Sequence, residues 1–209
     1  AVAIDAATGA LPFYNTSGNF GGTKVAGYRA DSSAGTTANT GLIFALPGDV
    51  TTDEHDHVNT GGTAVSTSIN GSGVAVSTTK SQFYGSSIYF GGSGGISTSN
   101  STDLALGSGD YTIEFWLYIA GTGTYYAYDF RTGTDDYVYV DTGNTLYLKY
   151  FSSQTVTANT WFHCAQVRNS GTLKLYIDGV LKQSVSNTIN HSGATDYHIG
   201  ERNSFGNRL

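Results

Sequence analysis

Methionine is missing altogether from these 209 residues, proline appears twice and cysteine once. A chain that begins at Ala1 and holds no methionine is expected to have been processed or truncated upstream. One cysteine cannot close an internal disulfide, so in an oxidising setting stability has to come from packing, hydrogen bonds or assembly. Cys164 accordingly reads as a small buried hydrophobe and not as a catalytic thiol. Charge is scarce as well: Asp, Glu, Lys and Arg make up 12% of the chain, with a net charge of −6. Ten scattered Lys and Arg offer no basic face, which argues against nucleic acid as a partner. No run approaches the roughly twenty apolar residues of a membrane-spanning helix, and no window sustains a period of 3.6. Glutamate occurs only at positions 54, 114 and 201.

What remains is β-rich. Glycine contributes 28 residues and aromatics 13%, and Val, Ile, Thr, Tyr and Phe recur in short runs between Gly, Asn, Asp and Ser. From Asp110 to Ile119 the alternation is strict. Tyr111, Ile113, Phe115, Leu117 and Ile119 share a core face, while Thr112, Glu114, Trp116 and Tyr118 share the other. Between Trp161 and Val185 two β-rich runs are joined by Asp178-Gly179, a pair that accepts positive φ at both central positions of a type I′ hairpin. Gly41 to Leu46 reads as a strand bounded by Gly and Pro47, and further strands are expected near Ala64–Ile69 and Val74–Thr78. Residues 1–40 are Gly-, Ala-, Ser- and Thr-rich and read as an extended arm, with residues 41–209 forming one sandwich.

Three stretches, Tyr111–Leu117, Trp161–Ala165 and Leu173–Gly179, resemble the laminin G-like group of the concanavalin A-like lectin and glucanase superfamily. The pattern of that group runs roughly F-T-I-E-F-W-V, W-H-H-V-A and L-x-L-Y-I-D-G, and the resemblance covers about residues 83–200. It implies an all-β, antiparallel jelly-roll sandwich, and it leaves function open, since lectins, glycosidases, adhesion modules and structural domains share that fold. The order G-L-I-F-A-L then S-x-F-Y-G-S-S-I-Y-F also resembles virion proteins of aquatic tailed phages that carry such a domain. In the resembling domains a closing strand follows the I-G motif, here Ile199-Gly200, and lies beside the first strand. This chain stops at Leu209 without it, so an exposed apolar groove is expected.

Hydrolases of the superfamily use E-x-D-x-x-E, whose two carboxylates serve as nucleophile and acid. The nearest match here starts at Glu54 and places Asn59 where the second Glu should be, so no enzyme activity is expected. The cluster from Asp53 to His57, with Asp53 and Asp56, is a candidate metal site, its carboxylates suiting calcium and its imidazoles zinc or nickel, and Asp135, Asp136 and Asp141 in other loops are rival oxygen donors for calcium. Neighbouring ligands on one short loop rarely close a shell alone, so a solvated acidic turn is the competing reading and no cofactor is required. Tyr125, Tyr126, Tyr128, Tyr137 and Tyr139, followed by Tyr147 and Tyr150, are candidate glycan contacts, although alternating Tyr also serves cross-strand packing. Sequons at Asn15, Asn70, Asn100 and Asn190 are candidate glycosylation sites.

These readings lead to a non-enzymatic subunit of an extracellular assembly, a surface fibre or virion appendage. Val2, Ile4, Leu11 and Phe13 of the arm would fill the groove of a neighbouring copy head to tail. A free-standing lectin module is the alternative.

Overall fold

A computed structural model describes residues 43–53, 64–83, 85–130, 136–193 and 196–202. The arm with Val2, Ile4, Leu11 and Phe13, the candidate donors Asp56 and Asp135, the sequon at Asn15 and the last residues from 203 onward lie outside them. The chain divides into two compact units, one of Ala1–Ser66 with Ala75–Tyr89 and one of Thr67–Val74 with Phe90–Leu209.

Alternating apolar residues and tight turns build two antiparallel sheets, whose strands belong to the second unit except for residues 75–77 and 87–89. One holds β3 (Tyr111–Tyr118), β8 (Trp161–Asn169), β9 (Thr172–Ile177) and β10 (Val180–Ser186) in the order β10-β9-β8-β3. The strands β8 to β10 form a meander through two two-residue turns. Ser170 and Gly171 have φ of 50° and 74°, and Asp178 and Gly179 have 50° and 76°. These are the positive values that a type I′ hairpin demands. Pairing of Val180 with Ile177 closes the second turn. The other sheet has seven strands: β1 (Thr67–Ser77), β2 (Ser87–Thr98), β4 (Tyr125–Asp129), β5 (Tyr137–Val140), β6 (Thr145–Leu148), β7 (Gln154–Thr155) and β11 (His198–Ile199). Their order is β1-β2-β11-β4-β5-β6-β7, so the short β11 separates β2 from β4.

Period-two alternation sorts side chains between core and surface. Ile96, Val138, Val140, Leu146 and Leu148 of the larger sheet face Phe162, Cys164, Leu173, Leu175 and Ile177 of the smaller, and all are buried. A polar cluster lies within this core. Gln166 Nε2 donates to Asp136 Oδ2 at 3.1 Å, the Tyr128 hydroxyl donates to Asp136 Oδ1 at 3.3 Å, and His191 Nε2 lies 3.4 Å from the Tyr111 hydroxyl. At one margin of the unit the Gln183 side chain accepts from Ser152 N–H at 2.9 Å and donates to its carbonyl at 2.6 Å.

Two strand expectations change. The described part of the Gly41–Leu46 run forms no strand; Ala45 N–H is satisfied by Asp53 Oδ1 at 2.9 Å, within the first unit, instead of by a ladder partner. The two strands expected between Ala64 and Thr78 are one continuous strand, β1, which passes through Gly71 and Gly73 at φ of 75° and 83°.

Candidate functional site

The solvent side of the larger sheet carries the tyrosines. Along β5, Val138 and Val140 are fully buried, so Tyr137 and Tyr139 point outward. Register places Tyr126 of β4 and Tyr147 of β6 opposite Tyr139. Ring centroids of Tyr126 and Tyr139 are 5.2 Å apart, and those of Tyr139 and Tyr147 are 4.7 Å apart at an interplanar angle of 12°. Tyr137 stacks along the strand at 6.0 Å from Tyr139, with the Lys149 ammonium 5.8 Å from its ring centre. Rings stacked this way shield one another's faces and present edges and hydroxyls outward.

At one end of the row stands Asp141, on the turn between β5 and β6. Its Oδ1 accepts from Gly143 N–H and Thr145 N–H, both at 2.9 Å, and its Oδ2 accepts from the Tyr147 hydroxyl at 3.3 Å. The Thr145 N–H first, against a smaller opposing effect of desolvation, and then the Gly143 N–H and the hydroxyls of Thr145 and Tyr147 hold its carboxyl below the ordinary carboxylate range. The Tyr139 phenol is pushed up, by burial first and then by the neighbouring Tyr147, Tyr126 and Tyr137 and the charge of Asp141. The arrangement therefore keeps a fixed anion beside a group of hydroxyls that can both donate and accept.

Among the sequence candidates, Tyr126, Tyr137 and Tyr139 come together here. Tyr128 is turned into the core at 3% exposure, where burial and then the charge of Asp136 push its phenol far up. Tyr125 pairs with Val140 on the inward side of the strand. Lys149 and the anchoring of Asp141 were not singled out by sequence reasoning; the Asp-Thr-Gly-Asn turn before β6 is the signal that could have marked the latter.

The remaining candidates are placed as follows. Asp53 is buried, with its carboxylate spent on Ala45 N–H and on Val65 N–H at 2.8 Å. Asp136 lies in the core described above. Among the described residues no three His, Cys, Asp or Glu converge as a metal site would need. Asn100 and Asn190 are exposed, whereas Asn70 is half-buried and donates through Nδ2 to Glu201 Oε1 at 2.6 Å. Glu114 pairs with His163 at 3.2 Å on the outside of the smaller sheet. Glu201 is buried beside β11, and its Oε1 lies 3.0 Å from His198 Nδ1. The two described glutamates are thus apart, Glu114 on the outside of the smaller sheet and Glu201 beside β11 of the larger.

Domain 4 of AbnA, a GH43 extracellular arabinanase from Geobacillus stearothermophilus solved with arabinotriose, is similar at a TM-score of 0.50 and 16% identity over 68% of this chain and 76% of that one. The botulinum neurotoxin type G receptor-binding domain gives 0.47 and 14% over 71% and 39%. The carbohydrate-binding module CBM66 from Bacillus subtilis gives 0.41 and 16% over 64% and 87%. At these identities the likeness is one of fold. No curated protein matches the chain in sequence. No helix among the described residues is long and apolar enough to cross a membrane. The family model of the concanavalin A-like lectin/glucanases superfamily matches residues 90–209, more than half of the sequence and nearly all of the second unit, and the chain belongs to that superfamily.

Proposed function

We propose that the second unit is a non-catalytic carbohydrate-binding module of an extracellular protein, and that Tyr126, Tyr137, Tyr139 and Tyr147 form its glycan-contacting face. The observation that carries this reading is the group of four outward rings on β4, β5 and β6, flanked by Asp141 and Lys149. The fold shared with the arabinanase domain solved with arabinotriose supports it. Because the rings cover one another's faces, recognition runs mainly through hydroxyl edges: phenols and the Asp141 carboxylate exchange hydrogen bonds with sugar hydroxyls. Hydrolysis needs two carboxylates flanking one glycosidic bond, and the separation of Glu114, on the smaller sheet, from Glu201, beside β11 of the larger, favours binding without turnover.

Titration of the full chain against a glycan array, followed by calorimetry on the best ligand, tests the reading. Tyr139→Phe, which removes only a hydroxyl, is expected to weaken binding several-fold, and Tyr139→Ala more. Binding indifferent to both substitutions, or no binding to any glycan, would sink it.

A second reading, polymerisation by strand exchange into a surface fibre or virion appendage, is favoured by one feature. β3 is the outermost strand of its sheet among the described residues, and its core-facing Ile113, Phe115 and Leu117 are only half-buried. An arm carrying Val2, Ile4, Leu11 and Phe13 from another copy would complete that cover. Sedimentation of the full chain against a variant lacking the arm decides it: loss of large species on deletion supports exchange, and a monomer in both cases rejects it.

A further inference from the structure

A cleft of about 220 Å³ is bounded by β7, the start of β8 and the β9–β10 hairpin, and its lining includes none of Tyr126, Tyr137, Tyr139 and Tyr147. Phe162 and Ile177, both buried, lie at its apolar base. Around it stand Trp161, Thr155, Thr157, Thr160, Asp178 and Lys182. Trp161 is half-buried, and its ring meets Tyr118 at 5.5 Å and an angle of 58°, a tilt that does not cover the indole face in parallel. Asp178 is fixed from below, since its Oδ1 accepts from His163 N–H at 2.8 Å and its own N–H donates to the His163 carbonyl. No hydrogen bond to its Oδ2 is found among the described residues, and Asp178 lines the cleft. Lys182 is exposed on the next strand and supplies a cation on a flexible stem.

An aromatic wall, an anchored acceptor, a set of hydroxyls and one ammonium group are the elements that recognise a sugar ring bearing an acid. We propose that this cleft binds a single hexuronate residue, with the pyranose face against Trp161, ring hydroxyls on Asp178 and the threonines, and the carboxylate on Lys182. The volume, below the roughly 300–1,000 Å³ of sites for larger ligands, suits one ring and not a chain. An acidic sugar is favoured over a neutral one because Lys182, although it shares the cleft with Asp178, makes no ion pair among the described residues and so can take a ligand carboxylate on the side away from Asp178. The proposal is independent of the tyrosine face.

Amide chemical-shift mapping of the full chain with sodium glucuronate and, separately, with glucose, each up to about 50 mM, tests it at the millimolar affinity expected for one sugar ring. Glucuronate is expected to shift resonances in 154–161 and 177–182, and Lys182→Gln to weaken it about tenfold, the scale of one charge-assisted hydrogen bond. Trp161→Ala is expected to abolish the shifts, and Tyr139→Phe to leave them in place. Lys182 is exposed, so its variant keeps the test valid if Trp161→Ala fails to fold. Absence of shifts, equal response to glucose, shifts confined to the tyrosine face, or a Lys182→Gln response equal to wild type would each overturn the proposal.

Discussion

Gly179→Val isolates the conformational cost of the β9–β10 turn. A Cβ added at Gly179 meets no atom within 4 Å, so no collision contributes. The residue nevertheless sits at φ of 76°, directly after Asp178 at 50°, and the register Val180 to Ile177 leaves no room to relax without opening the hairpin. Holding a β-branched residue in the left-handed region costs about 1–3 kcal/mol. Stiffening of the unfolded chain when glycine is replaced offsets about 0.4–1 kcal/mol of that. A net loss of about 1–2 kcal/mol follows, which for a chain of this size lowers the melting temperature by roughly 2–8 °C. Asparagine tolerates the left-handed region, so Gly179→Asn is expected to lose only a small part of this. Thermal unfolding followed by circular dichroism reads both variants. A valine variant that melts with wild type, or an asparagine variant that loses as much as valine, refutes the reasoning.

Four further outcomes are expected. His191 is held below its ordinary pKa, first by burial and then by the charge of Arg168, so the unfolded chain takes up its proton more readily and stability falls as pH drops below about 6.5. At His198 burial opposes the charged form, but the hydrogen bond and charge of Glu201, and then Asp196, outweigh it and raise the pKa; its contribution is complete below about 6.5 and is lost as pH rises through the folded value. Urea midpoints measured across pH should therefore flatten on the acid side for His191→Gln and on the alkaline side for His198→Gln; unchanged profiles would contradict the assignments. The Cys164 thiol is fully buried and its pKa is pushed up to about 12, mainly by burial, so thiol reagents at pH 8 should label it only after unfolding, and rapid native labelling would show an open core. Gly94→Ala should cost about 1–3 kcal/mol in chemical denaturation, because its Cβ would stand 2.6 Å from the Asn70 carbonyl and 2.7 Å from that of Ser72; a neutral result would mean that β1 lies further from β2 than described.

Much of the smaller sheet was legible in the sequence because it is local: strict alternation marks β3, and the Trp161 run with the Asp178-Gly179 turn marks the meander, while the pairing of β3 with β8, Tyr111 with Arg168, joins distant segments. The larger sheet was not. Its order depends on Ile199 pairing with both Ile96 and Tyr128, contacts that no window of sequence contains. The tyrosine face was half legible for a different reason. A bulge between Tyr126 and Tyr128 breaks the period of two, so residues that spacing assigns to one face lie on opposite faces, Tyr126 outward and Tyr128 in the core. Gly71 and Gly73 misled in the same way, since positive φ inside a continuous strand reads from sequence as a turn. The apolar Ile43–Leu46 run lacked any signal that Asp53 would take the place of a strand partner.

The two-residue strand β11 has a consequence for biogenesis. It bridges β2 and β4, with Ile96 meeting Ile199 across roughly a hundred positions of sequence, so the larger sheet cannot be closed until the segment that follows β10 has left the ribosome. Until then the flanks of β2 and β4 wait unpaired, each able to recruit the strand of another nascent chain. On crowded polysomes the yield of native protein should therefore depend on how soon after synthesis those few residues reach their slot, and holding the nascent chain apart from its neighbours over that interval should raise it more than stabilising any single strand.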